Sequence, residues 1–99
     1  MIIVLNISYP PEGAPDMAKR FLEAPQLPDY IKRQGPYITA DIESGINSLS
    51  LWDVENSKLA EGLQAAGDYM ATFFGVPGFK YQVKPYFAVE EALKMIGMG

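Results

Sequence analysis

Ile46-Asn47-Ser48-Leu49-Ser50-Leu51-Trp52-Asp53 is the stretch that decides the fold. Side chains alternate across a pleated strand, so Leu49 and Leu51 share one face while Ser48, Ser50 and Trp52 share the other. Glu43-Ser44-Gly45 before it is a turn signal, and a helical pattern over about residues 56–74 follows it. A strand set between a tight turn and a long helix belongs near the middle of one small sheet.

Working outward, residues 37–42 read as a partner strand. Ile38, Ala40 and Ile42 face one way, and Tyr37, Thr39 and Asp41 the other. The short turn makes these two strands a hairpin. Downstream, Leu59, Leu63, Ala66, Met70 and Phe73 recur every three or four residues and form one apolar helical stripe. Gly62 and Gly67 weaken that helix, which suggests a close approach to a neighbouring element or room beside a cavity. Gly75 and Pro77-Gly78 end it. Residues 79–87 form a last strand, with Phe79, Tyr81, Val83, Pro85 and Phe87 on one face. Its proline and its lysines argue for a sheet edge. Residues 88–96 make a short C-terminal helix.

At the other end, residues 2–9 form a strand with Ile3, Leu5 and Ile7 on one face and Ile2 and Val4 on the other, which suits an interior position. Pro15 opens a helix whose buried face is Met17, Ala18, Phe21 and Leu22, and Pro25 stops it. Pro28 starts a further helical turn or two, carrying Leu27, Tyr30 and Ile31 on one side, with Gly35 as its end cap.

The order strand, helix, strand, strand, helix, strand is the split βαβ arrangement, here with an added terminal helix. It predicts one α+β domain over residues 1–99: a four-stranded antiparallel sheet with helices on a single face. The second face is left bare. Both candidate faces carry apolar residues, and a monomer seldom exposes a contiguous apolar patch above about 300–600 Å². A twofold homodimer, sheet against sheet, is the economical solution.

Leu27-Pro28-Asp29-Tyr30-Ile31, Tyr37-Ile38-Thr39-Ala40-Asp41 and Gly78-Phe79-Lys80-Tyr81-Gln82-Val83-Lys84-Pro85 give the chain a resemblance over nearly its whole length. It resembles uncharacterised small proteins of the dimeric α/β-barrel branch of the ferredoxin-like fold. That branch includes cofactor-free monooxygenases, lactone isomerases, haem-dependent enzymes and stress-response proteins. The resemblance implies a dimer and a pocket between sheet and helices, and it implies no particular reaction.

Composition removes many chemistries. The chain has 99 residues, no His and no Cys. Serine–histidine and cysteine–histidine pairs, thiolate metal sites and a proximal haem histidine are therefore excluded. No phosphate-cradling glycine motif occurs, and no cofactor is expected. The net charge of −4 and the scattered pairs Lys19-Arg20 and Lys32-Arg33, placed on helices, argue against nucleic acid. An RNA-binding module of the same strand order needs stacking aromatics on its central strands, and Trp52 alone is available. No run approaches the ~18 apolar residues of a membrane span. The apolar start Met1-Ile2-Ile3-Val4-Leu5 lacks a basic region and is too short for a secretion signal. A cytoplasmic location is the default expectation.

Two carboxylate pairs remain, Asp41 with Glu43 and Asp53 with Glu55, each two apart and each otherwise a solvated strand end. Asp41 stands beside Tyr37 in a predicted strand; burial there would raise its pKa and mark a site. Tyr9, Tyr30, Tyr37, Trp52, Tyr69 and Tyr81 combine an apolar ring with a polar tip and are, with Asp41, the candidate pocket residues. The same aromatics equally serve as core or interface. Met95 and Met98 read as packing in a flexible tail rather than as metal ligands. Three functions follow as expectations: a homodimer binding a small, partly apolar ligand; a cofactor-independent monooxygenase- or isomerase-like enzyme using Tyr37, Asp41, Tyr69 or Trp52; or a structural partner protein with a filled interior.

Overall fold

Both faces of β1 (Ile2–Tyr9) are apolar at its start, and the strand lies inside the sheet. It pairs antiparallel with β3 (Gly45–Val54) on one side and with β4 (Lys80–Tyr86) on the other. β2 (Ile31–Asp41) borders β3, so the sheet order is β2-β3-β1-β4. The computed structural model describes every residue from Met1 to Gly99. A 3-10 turn (Pro11–Gly13) leads into α1 (Ala14–Glu23), and a second one (Asn56–Lys58) leads into α2 (Leu59–Ala71). α3 (Val89–Met95) follows β4 at the end of the chain. β4 is an edge strand and tolerates Pro85 opposite Ile3, as its sequence predicts.

The register decides which face is core. Ile3 lies opposite Trp52 and Leu5 opposite Ser50, so these side chains share a face. Ile3, Leu5, Ile7 and Tyr9 of β1 are buried there, together with Trp52 and Val54 of β3. Met17 of α1 and Ala66, Tyr69 and Met70 of α2 close over them, joined by Phe73 and Val76 beyond the end of α2. β3 therefore sends its serines and its tryptophan inward, with Ser50 only 4 % exposed, and its two leucines to the uncovered face.

The second helical segment expected after Pro28 is instead the start of β2. Ile31, Lys32, Arg33 and Gln34 pair with Val54, Asp53, Trp52 and Leu51. A helical turn or two has no stability of its own, whereas a long β3 offers a full row of backbone partners. The Lys32-Arg33 pair thus lies on a strand, one residue on each face. Gly35 is not a helix cap. It has φ +91 in the irregularity between Gln34 and Tyr37, where a Cβ would lie 2.7 Å from the Leu49 carbonyl oxygen.

The two glycines of α2 differ. A Cβ on Gly62 would meet Val54 and Ile3 at 3.1–3.2 Å, so this glycine lets α2 approach the sheet. Around Gly67 there is open space. Gly67→Ala is expected to stabilise the fold by about 0.8–1 kcal/mol through helix propensity alone. In thermal unfolding that is a rise in Tm of roughly 4–8 °C. Gly62→Ala, which must displace Val54 or Ile3, is expected to fall short of it.

The chain exposes more surface than its mass calls for. Its accessible area is 6547 Å², against about 5,600 Å² for a compact monomer of 10.9 kDa. Its radius of gyration is 15.1 Å, against about 12.6 Å for a compact chain of this length. Leu49, Tyr37 and Tyr86 on the uncovered sheet face, and Phe87, Val89, Ile96 and Met98 around α3, contribute to that excess. No helix is long and apolar enough to cross a membrane.

Candidate functional site: a cleft between sheet and helices

Between α1, α2 and the sheet a cleft of about 410 Å³ opens. Ile7 and Tyr9 of β1 and Ser48 of β3 form its floor. Met17, Ala18 and Phe21 repeat at helical spacing along α1 and form one wall. Pro36 and Ile38 of β2 form another, and Tyr69 and Phe73 close the inner end. The cleft is mostly apolar, and its side-chain polar groups are hydroxyls: Ser48, Tyr9 and Tyr69.

Burial raises the pKa of both phenols, Tyr9 and Tyr69, above the ordinary tyrosine value. The positive charge of Arg33 opposes part of that rise at Tyr69. Both hydroxyls therefore stay protonated at neutral pH and can donate hydrogen bonds. Behind Tyr69 stands Trp52, fully buried, with ring centroids 5.5 Å apart in an edge-on contact. The aromatic contacts run on from Tyr69 to Phe73 at 5.2 Å, from Phe73 to Phe79 at 5.8 Å and from Phe79 to Tyr81 at 5.4 Å. Trp52 Nε1 is buried with no hydrogen-bond partner.

A second, more open cleft of about 560 Å³ lies under the connection from α1 to β2. Leu27, Asp29, Ile31 and Arg33 line it, and Phe21 lines both clefts. The Arg33 guanidinium sits 5.6 Å from the centre of the Phe21 ring.

Of the seven candidate pocket residues, the structure brings Tyr9 and Tyr69 together in the first cleft, with Trp52 supporting Tyr69 from behind. The others lie apart. Tyr30 stands outside α2 with Lys58 5.7 Å from its ring. Tyr37 is on the uncovered sheet face, 58 % exposed. Tyr81 packs on Phe79 at the β4 edge. Asp41 is at the surface, where the Ser44 backbone N–H (2.6 Å), the Ser44 hydroxyl (2.7 Å) and Asn47 Nδ2 (2.9 Å) all donate to it. Those hydrogen bonds, led by the Ser44 backbone N–H, hold its pKa below the usual carboxylate range. Burial and a raised pKa, the condition for reading Asp41 as a site, are not met; the carboxylate ties the β2–β3 turn. Nowhere do three or more acidic side chains converge as a metal-ligand group.

Phe21, Ile38, Ser48 and Arg33 belong to the clefts without having stood out in the sequence. Phe21 and Ile38 were legible as apolar face residues. Arg33 was hidden by its assignment to a helix. Comparison with family models, with curated proteins and with solved structures found no significant match to this chain.

Proposed function

We propose that the protein is a homodimeric small-molecule-binding protein of the dimeric α/β-barrel kind, with a ferredoxin-like subunit that holds a partly apolar ligand in the cleft between sheet and helices. The observation that carries the ligand reading is the cleft itself: about 410 Å³, framed by apolar and aromatic side chains and edged by two phenols and a serine hydroxyl. Size and lining are those of small-ligand sites. The strand order β2-β3-β1-β4 supports the ferredoxin-like subunit.

The dimer rests on the uncovered face. Ile2, Val4, Leu49 and Leu51 form its centre, Val4 directly opposite Leu51. Charged residues stand around them: Lys32 opposite Asp53 on one flank and Lys84 on β4 on the other. A second copy is the occupant that suits an apolar centre with both charge signs at its rim. The surplus of about 900 Å² over a compact monomer matches the roughly 800 Å² that each partner contributes to a stable interface. An enzymatic reading, a cofactor-independent oxygenase or isomerase, has Tyr9 and Tyr69 as its proton-handling groups, since Asp41 lies away from the cleft.

Sedimentation equilibrium is expected to give twice the subunit mass. A panel of bicyclic aromatic compounds is expected to raise the melting temperature, and Ala18→Trp, which puts an indole across the cleft mouth, to abolish the rise. A stable single subunit overturns the dimer. A panel without any shift, or shifts untouched by Ala18→Trp, overturns the ligand site.

A further inference from the structure

Arg33 has no ion-pair partner. The chain's other arginine, Arg20, is held by Asp16 at 3.2 Å and donates to the carbonyl oxygens of Thr72 at 3.2 Å and Phe74 at 2.7 Å. The ion pairs of the protein are Met1 with Glu91, Arg20 with Asp16 and Lys58 with Glu61, and none involves Arg33. Its guanidinium takes part in no side-chain hydrogen bond, and its neighbour is the Phe21 ring. In a chain with net charge −4, an arginine that forms no ion pair, beside an apolar cleft, is an unused anion receptor.

Its position relates it to the cleft. On β2, Arg33 precedes the cleft residues Pro36 and Ile38 and lies opposite Trp52 across the ladder. Trp52 supports Tyr69, and Phe21 lines both Arg33's cleft and the apolar one. Arg33 is also near enough to Tyr69 for its charge to be felt by that phenol. The apolar cleft has no acidic side chain in its lining, and its two phenols are donors. A carboxylate in the apolar cleft meets hydroxyl donors and no anion there, and past Phe21 it meets Arg33, whose own cleft also carries Asp29.

We infer that the cleft takes an aromatic carboxylate, its ring on the apolar surface beside Phe21 and its carboxylate on the Arg33 guanidinium. This rests on the reading of the cleft as a ligand site and adds the charge of the ligand. A planar guanidinium can hold a carboxylate through two parallel hydrogen bonds, which a neutral amide of the same shape cannot reproduce.

The test compares 2-naphthoate with 2-naphthamide by calorimetry on the wild-type protein, on Arg33→Gln and on Lys94→Gln, which removes the same charge on α3. The naphthoate is expected to bind about tenfold or more tighter than the amide, the scale of a hydrogen-bonded charge. Arg33→Gln is expected to erase that preference, and Lys94→Gln to keep it. Arg33 is exposed on the strand, so the variant is expected to melt as the wild type does. Equal binding of acid and amide overturns the anion inference and leaves the cleft as a site for neutral ligands. So does a preference that survives Arg33→Gln. Absence of binding by both compounds overturns the inference together with the ligand site.

Discussion

Trp52→Ala is expected to lower the unfolding free energy by about 3–5 kcal/mol, the cost of emptying a large aromatic site in a packed core. Trp52 has no exposure at all and is the largest fully buried side chain. It lies opposite Ile3 on the central strand and opposite Arg33 on β2, and its ring meets Tyr69 from α2. Removing it therefore opens the junction of sheet and helix rather than a corner that can collapse. Against a total of roughly 5–15 kcal/mol for a small domain, the loss is about a fifth of the stability or more. Urea unfolding followed by far-ultraviolet circular dichroism measures it. Trp52→Phe is expected to cost less than its lost volume suggests, because Nε1 has no partner and its removal deletes a buried unsatisfied donor. A Trp52→Ala protein losing less than about 1 kcal/mol would mean that another layer carries the core.

The same residue shows how far the sequence could be read. Alternation in β3 placed Trp52 with Ser48 and Ser50, and Leu49 with Leu51, and that pairing of faces is what the structure has. Alternation alone gives no inside and outside. By hydrophobicity the leucines belong in the core; the helices cover the other side because Ile3, Leu5 and Ile7 outweigh two serines there. The start of β2 was not legible, since Pro28 and Gly35 punctuate a helix as well as they do a strand, and β3 decides by offering hydrogen bonds from a distance in sequence. The candidate site was legible in its residue types more than in its membership. Tyr9 and Tyr69 meet only because β1 ends beneath the second half of α2, and Asp41 leaves the list because its nearest donors, Ser44 and Asn47, are local to its own turn. Arg33 follows the same rule as β2: on a helix the Lys32-Arg33 pair has a solvated face, and on a strand Arg33 lines a cleft.

Leu51→Asp tests the other side of the sheet, where the inward serines of β3 have left an apolar surface. On the proposed dimer, Leu51 lies with Val4 at the centre of the contact, and twofold symmetry brings both copies of the new carboxylate into it. An unpaired charge buried at an interface costs about 3–5 kcal/mol, so the dimer dissociation constant is expected to rise by roughly a hundredfold to several thousandfold. Sedimentation equilibrium across a concentration series reads that change. Within the subunit Leu51 is only half-buried and faces away from the helices, so the variant is expected to keep its circular dichroism spectrum. Lys84→Gln, at the rim on β4, is expected to shift the same equilibrium by less than tenfold, because rim charges are screened by solvent. A Leu51→Asp protein that still sediments as a dimer would place the contact elsewhere, on the exposed apolar residues around α3. A folded monomer with the wild-type spectrum would tie the outward leucines of β3 to a second copy of the same face.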